Sequence, residues 1–122
     1  MYRVSVREHF DAAHHLRNYR GKCEQLHGHR FQVVVTVETS ELNELGMAFD
    51  FSELKGHLRQ MLERFDHACL NDIEPFDKIN PSAENIALSI YGGLSSRLEG
   101  EKLSILSIEV WESPDSCATY IP

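Results

Sequence analysis

The stretch His27-Gly-His-Arg-Phe-Gln-Val-Val-Val-Thr-Val-Glu38 decides the fold. His27, His29, Phe31, Val33, Val35 and Val37 share one parity, while Gly28, Arg30, Gln32, Val34, Thr36 and Glu38 share the other. Alternation with period two marks a strand with one buried face. Both histidines therefore leave the chain on the same side, off the end of an apolar stripe. A strand with the same signature precedes it: Tyr2, Val4, Val6, Phe10, Ala12 and His14 share a parity interrupted only by Glu8. Paired as a hairpin, the two strands would bring His14 to His27 and His29. The connection between them is longer than most hairpin loops and carries Cys23, and that length usually signals function.

Residues Thr39 to Gly46 form a polar connection, followed by a short extended piece through Met47, Phe49 and Phe51. Asp50 or Ser52 caps a helix, with Glu53 placed as in a capping box. Leu54, Leu58, Met61, Leu62 and Phe65 repeat at helical spacing, and this helix is expected to end around Asp66. After Pro75, either Asn80 ahead of Pro81 or Ser82 opens a second helix with the stripe Ile86, Ile90, Leu94 and Leu98. Gly92 and Gly93 each cost about 1 kcal/mol relative to alanine, which predicts close packing or a kink. Gly100 suits the stop. Leu106, Ile108, Val110 and Glu112 share one face of a third strand, and Pro114-Asp115 turns the chain into a last strand over Ala118 to Ile121. The order strand, strand, helix, helix, strand, strand predicts an α+β fold: an antiparallel sheet with both helices on one face.

Composition bounds the function. At 122 residues, 42% hydrophobic and 25% charged, the chain is read as one soluble domain spanning 1–122. A formal charge of -7 argues against nucleic acid or an anionic membrane as partner, since both need a basic face. Arg17, Arg20, Lys22 and Arg30 nevertheless make one locally positive segment, either a solvated loop or an anion-binding rim. Three widely spaced cysteines, Cys23, Cys69 and Cys117, form no disulfide framework and favour a reducing compartment. The first residues hold no apolar leader, and no run approaches the ~20 apolar residues of a membrane span. The expected location is cytoplasmic.

Two histidines in strand register, with a third at the adjoining strand end, suit a zinc ion that keeps a position open for water or substrate. His9, His15 and His57 carry no such argument. Cys23 has two readings: a fourth ligand that closes a structural site, or a thiolate that moves protons. Asp66-His67 is either a charge complement at a helix end or an acid/base histidine tuned by its carboxylate. Glu112 is either an exposed strand-end carboxylate or an acceptor of two parallel hydrogen bonds from a guanidine-like group, such as the 2-amino-pyrimidinone edge of a pterin.

Six segments in order, FDAAH (Phe10 to His14), CEQLHGH (Cys23 to His29), MAFDFSELK (Met47 to Lys55), FDHACLND (Phe65 to Asp72), NPSAEN (Asn80 to Asn85) and VWE (Val110 to Glu112), resemble the 6-pyruvoyltetrahydropterin and 6-carboxytetrahydropterin synthase family nearly end to end. The resemblance implies a T-fold whose subunits close into a barrel, a homo-oligomer with a hexamer favoured, and active sites between subunits. It implies zinc on His14, His27 and His29, with Cys23, Asp66 and His67 as proton-transfer groups and Glu112 as pterin anchor. The three residues between Cys23 and His27 are similar to the bacterial carboxy-forming members, although Ser113 stands where many members have threonine. The implied activity is conversion of 7,8-dihydroneopterin triphosphate to 6-carboxy-5,6,7,8-tetrahydropterin, with loss of acetaldehyde and triphosphate, on the route to queuosine and other deazapurines. The alternatives are 6-pyruvoyltetrahydropterin synthase activity at the same site and a non-catalytic zinc-stabilised binding module.

Overall fold

The computed structural model describes residues 1–122. β1 (Tyr2–His14) and β2 (His27–Thr39) pair antiparallel along their whole length, with Tyr2 opposite Thr39 and His14 opposite His27. Directly opposed residues present side chains on the same face. Phe10 accordingly stacks on Phe31, ring centroids 4.9 Å apart.

Two helices cover that face: α1 (Phe51–Leu62) and α2 (Ala83–Arg97). Val6, Phe10, Phe31, Val33, Val35 and Val37 of the hairpin join Leu54, Leu58 and Leu62 of α1 and Ile86, Ala87, Ile90 and Leu94 of α2 in one core. Each large side chain buried there contributes about 1.5–3 kcal/mol. Glu8, which breaks the apolar stripe of β1, is half-buried and ion-paired to Arg59 of α1 at 2.9 Å. The other sheet face is polar, laced by Arg3–Glu38 at 2.7 Å, Ser5–Thr36 at 2.8 Å and Arg30–Asp11 at 2.9 Å.

β3 (Ala68–Cys69), β4 (Ser104–Ser113) and β5 (Ser116–Tyr120) complete a sheet of order β3-β1-β2-β4-β5. β3 runs parallel to β1, so the sheet is mixed rather than wholly antiparallel. The helix ahead of β3 ends at Leu62, short of Asp66, because the chain must turn to reach β1. The Phe65 and Asp66 amides both donate to the Leu62 carbonyl. His67 then takes a left-handed φ of 57° and donates its amide to the Asp11 carbonyl.

Met47 to Phe49 form no strand, since the Asn43 side chain accepts from the Leu45 and Met47 amides and folds the segment into a turn; Phe51 already belongs to α1. Asp50 caps α1 by accepting from the Ser52 and Glu53 amides, and Ser82, not Asn80, caps α2. A Cβ on Gly93 would collide with the Met61 sulfur, so the helices pack closely there, whereas Gly92 faces open space.

Strand parity in β4 is broken once by a bulge. Thr36 opposes Ser107 but Val37 opposes Ile105, so Leu106 is the extra residue and Ile105 joins Ile108 and Val110 in the core. A second irregularity pairs Trp111 with Cys117 and Ser113 with Ser116, leaving Glu112 as the unpaired residue. Bulges re-aim side chains, and this one is at Glu112. Neither helix is long and apolar enough to cross a membrane.

Candidate metal centre and active site

The hairpin register gathers the three histidines. His14 opposes His27, and His29 opposes Ala12, whose small side chain leaves room for the ring. Ring centroids are 4.6 Å apart for His14–His27, 5.2 Å for His14–His29 and 4.7 Å for His27–His29. One ring nitrogen from each lies within 4.8 Å of the other two. Phe31 lies beneath, 5.2 Å from His14 and 5.5 Å from His29, and supplies an apolar floor.

Hydrogen bonds from the outer nitrogens orient two of these rings. His14 Nδ1 is 2.8 Å from the Pro81 carbonyl and His27 Nδ1 is 2.6 Å from the Gln25 carbonyl. A carbonyl accepts only, so each Nδ1 carries a proton and Nε2 is the nitrogen left to face the cluster. His14 is fully buried, yet its Nε2 has no hydrogen-bond partner; Glu112 Oε1 lies 3.4 Å away without bonding geometry. A buried nitrogen left this way costs free energy unless something binds it. Burial holds the pKa of His14 below the ordinary value, against opposing pulls from the Pro81 carbonyl and Glu112. Burial lowers that of His29 as well, again opposed by Glu112. Both rings are thus kept neutral, the form a metal requires. The donor set fits a divalent cation of the zinc type.

Cys23 occupies a single 3₁₀ turn, Lys22–Glu24, in the loop after β1. It is not among the groups that lie within 4.8 Å of one another at the histidine cluster. Cys23 and Glu112 line the same cavity of about 200 Å³, together with Ser82, Glu84 and Cys117. His67 lies elsewhere, in a cavity of about 520 Å³ that also borders His29 and Arg30. Its Nδ1 is 3.0 Å from Asp66 Oδ2, and Asp66 Oδ1 accepts from the Asp11 amide at 2.9 Å. That amide, aided by His67, lowers the Asp66 pKa from its ordinary value. The structure thus brings Glu112 to His14, lines one cavity with both Cys23 and Glu112, and sets Asp66-His67 on the β3 side.

Of the basic cluster, two members are committed. The Arg17 guanidinium donates to the carbonyls of Phe76 at 2.8 Å, Ile79 at 3.2 Å and Asn71 at 3.4 Å, and Arg30 forms a two-pronged bond with Asp11. Arg20 and Lys22 remain exposed on the loop. Sequence reasoning missed the Arg17 contacts and the side-chain bonds of Asn71 and Asn80, which span more than fifty residues; the Asp11–Arg30 pair was legible once His14 was set opposite His27.

The chain thus forms an open sheet with two helices on one face and a three-histidine cluster at one end. The family model described as 6-pyruvoyl tetrahydropterin synthase matches residues 3–122. A Synechocystis relative named 6-carboxy-5,6,7,8-tetrahydropterin synthase is 39% identical over 91% of this chain and 86% of its own. A relative of the same name from Rickettsia bellii is 32% identical over 94% of this chain and 96% of its own. The solved Caenorhabditis elegans 6-pyruvoyl tetrahydropterin synthase superposes with a TM-score of 0.88 at 25% identity, covering 99% of this chain and 95% of that one. The chain belongs to the 6-pyruvoyl tetrahydropterin synthase family and is an enzyme of that family.

Proposed function

We propose that this chain converts 7,8-dihydroneopterin triphosphate to 6-carboxy-5,6,7,8-tetrahydropterin, releasing acetaldehyde and triphosphate, in the formation of queuosine and related deazapurines. The observation that carries the reading is the convergence of three imidazoles near Glu112, with an orphaned His14 Nε2 among them. The relatives named above, and the three-residue gap between Cys23 and His27, favour the carboxy product over the pyruvoyl one.

His14, His27 and His29 would hold zinc. When bound, zinc supplies Lewis-acid polarisation of the oxygens on the substrate side chain. Glu112 accepts two parallel hydrogen bonds from the 2-amino-pyrimidinone edge and so fixes the direction in which that side chain points. Cys23, which lines one cavity with Glu112, takes a proton from a side-chain carbon. Asp66 holds His67 Nδ1, which leaves His67 Nε2 free to give and take protons. Arg20 and Lys22 are the groups free to bind triphosphate. The family resemblance implies a homo-oligomer, a hexamer favoured, with active sites between subunits, and the bordering of different cavities by Cys23 and His67 is compatible with such a site.

Incubation with 7,8-dihydroneopterin triphosphate tests the reading. Acetaldehyde should appear in equal amount with the carboxy product. Triphosphate loss without acetaldehyde would assign the pyruvoyl reaction instead, and absence of turnover by the zinc-loaded protein would leave only a binding module.

A further inference from the structure

Two asparagines that contribute nothing to the histidine cluster govern the segment leading to Cys23. The Asn71 side chain bonds both backbone groups of His15: Oδ1 accepts from the His15 amide at 2.9 Å, and Nδ2 donates to the His15 carbonyl at 3.0 Å. Asn80 treats Arg17 the same way, accepting from its amide at 2.8 Å and donating to its carbonyl at 3.0 Å. Each carboxamide thereby imitates a neighbouring strand for one residue. Leu16, between the two, points its amide the other way and donates to the Cys23 carbonyl at 2.7 Å.

This alternation is that of a strand, in which successive amides face opposite edges. Residues 15–17 thus continue β1 without a strand partner: two asparagine side chains hold one edge, and the loop that returns with Cys23 is tied to the other. Asn71 is buried, and the Asn80 carbonyl is itself bound by Asn85 Nδ2 at 2.9 Å. Pro81, next in sequence, supplies the carbonyl that orients His14. One short run of chain therefore sets both the direction of a ring in the histidine cluster and the seat of the thiol.

We propose that Asn71 and Asn80 are positioning residues for Cys23, clamping His15 and Arg17 so that the Leu16 amide holds the thiol loop against the cavity lined by Glu112. Its consequence for turnover rests on the proton-transfer reading of Cys23; its consequence for thiol placement does not. Asn71→Asp and Asn80→Asp keep size and the acceptor for the amide, but set a carboxylate oxygen against the backbone carbonyl.

The test measures alkylation of Cys23 by iodoacetamide in a Cys69→Ser/Cys117→Ser background, alongside zinc content, kcat and KM. Each Asp variant should alkylate Cys23 about fivefold faster, the change expected when the closed loop loses one net hydrogen bond. It should lose about tenfold or more in kcat with KM and zinc content unchanged, as misplacement of a reacting group demands. An unchanged alkylation rate in both folded variants overturns the clamp. Faster alkylation with full turnover retains the clamp and removes Cys23 from the chemistry. Should the variants fail to fold, amide exchange in the unsubstituted protein decides: protection at Leu16 supports the clamp, and exchange at the rate of an open chain refutes it.

Discussion

His14 and His27 are direct partners across the β1–β2 ladder, with ring centroids 4.6 Å apart at the last register position of the hairpin. Because side-chain facing in a sheet has period two, sliding either strand by one residue would send one ring to the polar face. With the proposed three-histidine ligand set, metal affinity would read out strand register.

The first prediction concerns the ligands. His14→Ala, His27→Ala and His29→Ala should each weaken zinc binding by more than ~100-fold, above the loss typical of residues that only support a ligand. His9→Ala, on the opposite parity of β1, should bind zinc as the parent does. Competition with a chromophoric chelator measures both.

Arg17 and Arg20 should behave differently although both lie in the basic segment. Arg17→Ala removes a charged donor from the carbonyls of Phe76, Ile79 and Asn71 and should cost about 1.5–3 kcal/mol of stability. Arg20→Ala and Lys22→Ala should leave stability within about 0.5 kcal/mol and raise KM for the pterin triphosphate. Urea midpoints and steady-state kinetics separate the two effects.

Gly93 sits where α2 crosses Met61 of α1. Gly93→Val should destabilise by about 1–3 kcal/mol through overpacking. Met61→Ala should return part of that loss, with a coupling of about 0.5 kcal/mol or more in a double-mutant cycle.

The acid limb follows from Asp66, whose carboxyl is held below its ordinary value of 3.8 chiefly by the Asp11 amide. A depressed pKa stabilises the fold above the unfolded value and loses that contribution as pH falls through the folded one. Asp66→Asn should therefore be less stable than the parent at pH 7, and the gap should close as the pH drops below about 3.8. Denaturation of metal-free protein at a series of pH values checks the sign.

Much of this was legible in the sequence because it depends on local period. The parity of His27 to Val37 sets both histidines on the apolar face, and the stripes of α1 and α2 need no distant information. What was not legible depends on long-range pairing. Leu106 has the parity of a core residue until the bulge opposite Thr36 and Val37 shifts it outward. The end of α1 at Leu62 is decided by the Asp66 and His67 bonds to Asp11, more than fifty residues away. Asn71 carries no local signal and Asn80 reads as a helix cap, and only the path of residues 15–17 beside them gives their side chains work.

In the proposed site three imidazoles hold the metal while the Cys23 thiol stays free for chemistry. X-ray absorption at the zinc edge of the loaded protein tests this most directly. A first shell of nitrogen and oxygen donors at ~2.0–2.1 Å with no sulfur is the expected result. A sulfur scatterer near ~2.3 Å that vanishes in Cys23→Ala would contradict it and make the centre a closed structural site.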